Sequence, residues 1–106
     1  MNDSIQQRVA DLLSKMTLAE KVGQMCQMDA SLGYVSEHLA NELRAGRVGS
    51  VLNIVDVNVV NELQRIAVEE SRLGIPLLVG RDVIHGFKTI FPIPLGQAAT
   101  WNRACS

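Results

Sequence analysis

Gly74-Ile75-Pro76-Leu77-Leu78-Val79-Gly80-Arg81-Asp82-Val83-Ile84-His85-Gly86 is the stretch that decides the fold. Gly74 stops a helix, and Pro76 forbids its continuation. Leu77, Leu78 and Val79 then run apolar without alternation, which is how a strand covered on both faces of a parallel sheet reads. The run breaks off at Arg81-Asp82, and His85-Gly86 leads into a proline-punctuated loop, Phe91-Pro92-Ile93-Pro94-Leu95-Gly96. A carboxylate at the carboxyl end of a buried parallel strand lies where barrels and open α/β sheets bind ligands. Asp82 is therefore the first candidate functional residue. The residues alone leave two roles open for it: a ligand contact, or a cap or loop brace behind the strand.

Upstream of Gly74 lies the longest helical pattern. After Asp56, Val60, Leu63, Ala67 and Glu70 fall on successive turns, with Val59, Ile66 and Leu73 widening the apolar face. Glu62-Leu63-Gln64-Arg65 and Glu69-Glu70-Ser71-Arg72 read as solvated faces. Before Asp56, Val48-Gly49-Ser50-Val51-Leu52-Asn53-Ile54 is β-branched and uncharged, a second strand. Strand, helix and strand make one βαβ unit with parallel strands.

Further upstream, Val35, Leu39 and Leu43 mark a short helix closed by Gly46, and residues 29–34 read as loop. Thr17-Leu18-Ala19-Glu20 is a capping box, opening a helix with Leu18, Val22 and Met25 inward and ending near Cys26. Ile5, Val9, Leu12, Leu13 and Met16 give an amphipathic first helix, capped by Asp3 or Ser4. Met16, Met25 and Met28 read as adaptable core filling. Downstream, residues 87–96 form a rigid loop, and Gln97-Ala98-Ala99-Thr100-Trp101 begins a further element.

The 106 residues are 47% apolar and 20% charged, with net charge −1, a composition that suits a globular chain and argues against disorder. Near-neutral charge with one Trp and one Tyr gives no footprint for nucleic acid. No apolar run approaches the roughly 20 residues of a membrane span. The polar start, Met1-Asn2-Asp3-Ser4-Ile5-Gln6, lacks a basic region and an apolar core, so a cytoplasmic location is expected for the chain as written. Cys26 and Cys105 have no metal spacing and read as buried or incidental thiols rather than a disulfide. One βαβ unit with leading helices leaves strand edges open and a helix layer missing, which points to the front of a larger α/β domain.

Two blocks carry a resemblance to a known family. Residues 61–78, Asn61-Glu62-Leu63-Gln64-Arg65 through Gly74-Ile75-Pro76-Leu77-Leu78, resemble the N-terminal region of family-three glycoside hydrolases, nearest the bacterial β-glucosidases. So does the block with Gly80-Arg81-Asp82-Val83-Ile84-His85-Gly86 and Phe91-Pro92-Ile93-Pro94-Leu95-Gly96, and residues 9–25 match the family's first helices. The resemblance implies a fold class of α/β, with residues 1–106 an incomplete N-terminal segment of a (β/α)8 TIM-type barrel. It implies retaining hydrolysis of β-glucosides or oligosaccharides, and often xylosides, with neither metal nor organic cofactor.

By the same resemblance Asp82 holds hydroxyls of the non-reducing sugar. An ionised carboxylate is acceptor-only, and its charge-assisted bonds discriminate against a ring lacking those hydroxyls. His85 is a second candidate for substrate contact, although bracing of the loop backbone is the preferred reading. Arg81 should point away from Asp82 and brace the barrel. Gly86 should serve a conformation that a Cβ would obstruct. Trp101 should be buried core rather than a sugar platform, and Lys88 is not the family's sugar-binding Lys of the Lys-His pair.

Retaining glycosidases need two carboxyl groups about 5 Å apart. By resemblance both lie beyond the matched region, so no catalytic residue is assigned in this chain, and Asp56, Glu62 and Glu69 are not promoted to replace them. Asn102-Arg103-Ala104-Cys105-Ser106 departs from the family's usual continuation. The aminosugar-cleaving branch is disfavoured because its Glu-Gly-Gly after the strand-end Asp is replaced by Val83-Ile84-His85-Gly86. The competing expectation is a non-catalytic interaction module that self-associates through unpaired strand edges, or an α/β piece without a function of its own.

Overall fold

In the computed structural model, described for residues 3–105, three short strands form one parallel sheet with helices between them. Two helices lead in, α1 (Asp3–Lys15) and α2 (Leu18–Gln24), followed by β1 (Gln27–Asp29), α3 (Glu37–Arg44) and β2 (Ser50–Leu52). Then come α4 (Val57–Arg65), β3 (Leu78–Gly80) and a short α5 (Pro94–Ala98). The strands lie in chain order, β1-β2-β3, in the register Gln27–Ser50–Leu78, Met28–Val51–Val79 and Asp29–Leu52–Gly80. Sequential parallel strands with a helix in each connection are the arrangement of consecutive βα repeats in a (β/α)8 barrel.

The sequence predicts one βαβ unit; the structure contains two, because β1 occupies the end of what reads as helix and loop. Three residues with Gln27 and Asp29 on either side of Met28 give no apolar run to detect. Pairing with Ser50–Leu52 makes this segment a strand.

The helix starts are legible in the sequence. The Thr17 hydroxyl accepts the Glu20 N–H at 3.2 Å, while the Glu20 carboxylate accepts the Thr17 N–H at 2.8 Å, completing the capping box. Ser36 Oγ accepts the Leu39 N–H at 3.2 Å, and Asp56 Oδ1 accepts the N–H groups of Asn58 and Val59 at 2.8 and 3.1 Å. Of the two caps expected for α1, Ser4 lies inside the helix and the Asp3 side chain lies outside the described residues.

The predicted long helix ends sooner than its apolar pattern. After Arg65 it widens into a π-helical turn, Ile66–Glu70, and Ser71 leaves the helix with ψ 155°. The Ser71 hydroxyl donates to the Ala67 carbonyl and accepts the Gly74 N–H at 3.2 Å, taking over backbone groups that another helical turn would have used.

One face of the sheet is packed. Leu39, Leu43, Val48, Val51, Ile54, Leu63, Ile66, Ala67 and Leu77 form the core with α3 and α4, and Leu63 is 1% exposed. Successive strand residues alternate sides, so Leu78 falls on the opposite face, where it is 75% exposed. The expectation that β3 is covered on both faces is thus met on one only, with Leu78 turned outward on the other.

Two helices also turn their apolar stripes outward. In α2 the buried positions are Glu20 and Gly23, whereas Leu18, Val22 and Met25 are exposed, the reverse of the expected orientation. The reason is close approach: a Cβ on Gly23 would meet the Gly46 carbonyl oxygen at 2.2 Å, so the glycine side of α2 is the one that docks. Met25 and Trp101, at 80% and 94% exposed, do not fill a core within this chain, and Cys26 is an exposed free thiol, the incidental rather than the buried alternative.

A salt-bridged clasp ties α2 to the segment after α4. The Arg72 guanidinium donates to both Glu20 oxygens, at 2.9 and 2.5 Å, and to the Lys15 carbonyl at 2.9 Å. Arg65 pairs with Glu62, Glu69 and Glu70, and Glu70 also pairs with Arg44. Part of what reads as a solvated charge run therefore joins elements distant in sequence. Gln64, in the same run, turns inward: its amide donates to the Leu77 carbonyl at 2.8 Å and accepts the Leu77 N–H at 3.0 Å. That pair of bonds holds the chain where it enters β3.

Candidate functional site at the carboxyl rim of the sheet

The carboxyl ends of the three strands bring Asp29, Asn53 and Asp82 to one rim. Asp29 ends β1, Asn53 follows β2, and Asp82 stands two residues beyond β3. Ser31, Asn53, Arg81, Asp82, Ile84, His85 and Gly86 line an open depression of about 420 Å³ there. Its size falls within the range of small-molecule sites. Asp82 is exposed and faces solvent rather than packed interior.

Asn53 connects these strand ends. Its N–H donates to the Gly80 carbonyl at 2.9 Å, and its side-chain oxygen accepts the Asp82 N–H at 3.2 Å. Its side-chain nitrogen donates to Asp29 Oδ1 at 3.3 Å, and its carbonyl accepts Arg81 Nη1 at 3.0 Å. Asp29 in turn accepts the N–H and hydroxyl of Ser31, bonds that hold its carboxyl below the usual range, with the Asn53 amide adding to the effect.

Arg81 does not turn away from Asp82 as strand alternation predicts. Regular strand geometry stops at Gly80, and the Arg81 side chain reaches back to Asn53, with its guanidinium 4.6 Å from the centroid of the Phe87 ring. It braces the rim while lining the same depression as Asp82. His85 also lines the depression; its backbone carbonyl accepts the Phe91 N–H at 2.6 Å and closes the loop. Gly86 fulfils its expected role. Its φ is +98°, and a Cβ there would lie 1.9 Å from the Thr89 carbonyl oxygen.

Sequence reading singled out Asp82 and His85 but missed Asp29, Ser31 and the bonding role of Asn53. The available signal was Asn53 itself, an amide directly after an apolar run, at a place where a left-handed backbone is common for Asn. Asp56, Glu62 and Glu69 lie outside this lining: Asp56 caps α4, and the two glutamates pair with Arg65. Among the described residues no group of His, Cys, Asp and Glu is arranged to hold a metal ion, and no helix is long and apolar enough to cross a membrane.

Comparison with known proteins gives a consistent result. The Glycosyl hydrolase family 3 N terminal domain matches residues 17–105. The periplasmic beta-glucosidase of Salmonella typhimurium is 38% identical over 94 residues, covering 89% of this chain and 12% of that protein. The lysosomal beta glucosidase of Dictyostelium discoideum is 31% identical over 122 residues, covering 89% of this chain and 15% of the relative. The crystal structure of a β-glucosidase from Listeria innocua in complex with glucose superposes with a TM-score of 0.70 at 35% identity, covering 92% of this chain and 15% of that one. The chain thus spans between 12% and 15% of the length of these relatives.

Proposed function

The chain belongs to glycosyl hydrolase family 3, and on that footing we propose that it forms part of the glycone-binding wall of a β-glucosidase. Asp82 grips hydroxyls of a terminal β-D-glucosyl unit, and His85 stands beside it as a second contact. The observation that carries this reading is Asp82 at the carboxyl rim, exposed toward an open depression. A carboxylate there can accept two hydroxyls at once, each bond charge-assisted. The relatives compared above are named β-glucosidases, which supports the substrate class, while a protein of Formosa agariphila named "Putative beta-xylosidase" also matches at 31% identity. Hydrolysis would proceed with retention through a glycosyl-enzyme intermediate, its nucleophile and acid/base supplied by segments outside residues 1–106.

Two measurements test this. Residues 17–105 grafted in place of the matching segment of the Listeria innocua β-glucosidase should give an enzyme that cleaves an aryl β-glucoside. Asp82→Ala in that graft should lower kcat/KM on the order of 10²–10⁴-fold, the worth of two hydrogen bonds to a charged group. A folded graft indifferent to the substitution would defeat the assignment. The isolated 106-residue chain should not turn over the same substrate; turnover that Asp82→Ala abolishes would show that it carries its own catalytic pair.

A second reading, self-association, is favoured by the shape of the chain. Its radius of gyration is 17.6 Å where a compact domain of this length has about 13 Å. Its accessible surface of 7744 Å² is about a third above the value for a compact monomer of this size. The excess lies in the range each partner contributes to an obligate interface. Sedimentation decides: a folded monomer at low micromolar concentration counts against this reading.

A further inference from the structure

We propose that Asn53 is the positioning residue that sets Asp82 on the rim; the proposal rests on the glycone-binding reading of Asp82. Asp82 has no rigid element of its own to stand on. Regular pairing ends at Gly80, and the loop beyond it is exposed on nearly every side chain. The hydrogen bond that fixes the Asp82 backbone comes from across the sheet, where its N–H donates to Asn53 Oδ1 at 3.2 Å.

Asn53 can give that bond because the rest of it is held. Its backbone is left-handed, with φ +69°, a conformation Asn tolerates better than other side-chain-bearing residues. This turns the side chain along the rim, between the ends of β1 and β3. The amide nitrogen is anchored on Asp29 at 3.3 Å, which fixes the direction of the amide and leaves its oxygen for Asp82. The Asn53 N–H and carbonyl are engaged by Gly80 and Arg81, on either side of the strand end that leads to Asp82. Asn53 thus uses four polar groups to join three strand ends, and Asp82 is placed by the amide oxygen. A carboxylate held in this way is preorganised for hydroxyl groups rather than free to sample the loop's conformations.

Two variants separate the backbone from the side chain. Asn53→Gly keeps the left-handed conformation and removes the amide, whereas Asn53→Asp combined with Asp29→Asn moves the donor to position 29 and keeps an acceptor for the Asp82 N–H without facing two carboxylates. Both are examined in the 106-residue chain by 15N-resolved amide exchange and by titration with D-glucose. In Asn53→Gly the Asp82 amide should exchange roughly three- to tenfold faster, the worth of one hydrogen bond, while the Val51 amide keeps its wild-type rate. Any glucose-induced shift at Asp82 should weaken in parallel. The Asp29→Asn/Asn53→Asp pair should restore slow exchange at Asp82, a rescue that loss of general stability would not produce.

Wild-type exchange at Asp82 in Asn53→Gly would overturn the proposal. So would equally fast exchange in both variants with Val51 unchanged. If Asn53→Gly does not fold, the Asp29→Asn/Asn53→Asp pair decides alone, slow exchange at Asp82 upholding the role and fast exchange removing it. Failure of the glycone reading shows differently: Asp82→Ala would then leave the glucose response of the wild-type chain intact while the exchange data stand.

Discussion

Asp82 and Gly86 stand four residues apart and rest on different physics. Asp82 is a chemical choice, a charged acceptor where the strand ends; on the function proposed above, its substitution appears in sugar binding, and in turnover by the grafted enzyme, rather than in folding. Gly86 is a steric choice. With φ +98° and the Thr89 carbonyl oxygen 1.9 Å from where a Cβ would sit, Gly86→Ala must move the backbone between Val83 and Phe91. We expect it to destabilise that loop by more than about 1 kcal/mol, read as faster proteolysis within residues 83–91 and a shifted His85 resonance. Unchanged cleavage and an unchanged resonance would show that the loop tolerates the methyl group. Both residues were visible in the sequence because each ends a pattern. The bonding role of Asn53 was not, since its partners belong to strand ends 24 and 29 residues away in the chain.

At the scale of elements, capping chemistry and cross-chain clasps hold the helices against the sheet. Thr17→Ala should cost about 1 kcal/mol by freeing the Glu20 N–H in the first turn of α2, measurable as a lower denaturation midpoint. Gln64→Ala should cost about 1–3 kcal/mol, because the Leu77 N–H and carbonyl lose their partner in the Gln64 amide at the buried entry to β3. Equal stability of the variant and the wild type would mean that water replaces the amide there. The Glu20–Arg72 clasp adds a pH dependence. Hydrogen bonds from the Arg72 guanidinium, and then from the Thr17 N–H, lower the Glu20 pKa from 4.5 to about 2. A depressed carboxyl binds fewer protons folded than unfolded, so its contribution is complete above pH 4.5 and lost as pH falls toward 2. Glu20→Gln should lower the melting temperature at neutral pH and flatten the acid limb of the stability curve. An acid limb unchanged in the variant would place the proton uptake elsewhere, for which Glu42, Glu62 and Glu70, depressed by arginine partners, and Asp29, depressed chiefly by Ser31, are the remaining groups.

The whole molecule combines a well-packed half with an unsatisfied half. The packed half is the α3–α4 layer on β2, and Leu63→Ala at its centre should cost about 2–5 kcal/mol. A smaller loss in chemical denaturation would mean that the surrounding side chains collapse into the space. The other half is the bare sheet face at Leu78, the outward stripes of α1 and α2, and the exposed apolar residues from Val83 to Trp101. An exposed apolar surface of this extent is what supports the proposed self-association. The isolated chain is expected to bind a hydrophobic dye and to self-associate, and low dye binding by a folded monomer would argue that this surface is closed in solution.

Periodicity and caps by themselves determined α1–α4, the two later strands and their parallel order. Motif spacing placed Asp82 at a rim and fixed the need for Gly86. These features are local: a cap, an apolar stripe or a strand end is written within a few consecutive residues. Tertiary structure decided the rest. It made a strand of Gln27–Asp29, joined Arg72 to Glu20, turned the stripe of α2 outward and set Asn53 among three strand ends. Each of those outcomes depends on a partner distant in the chain, and a one-dimensional pattern carries no record of which distant partner will arrive.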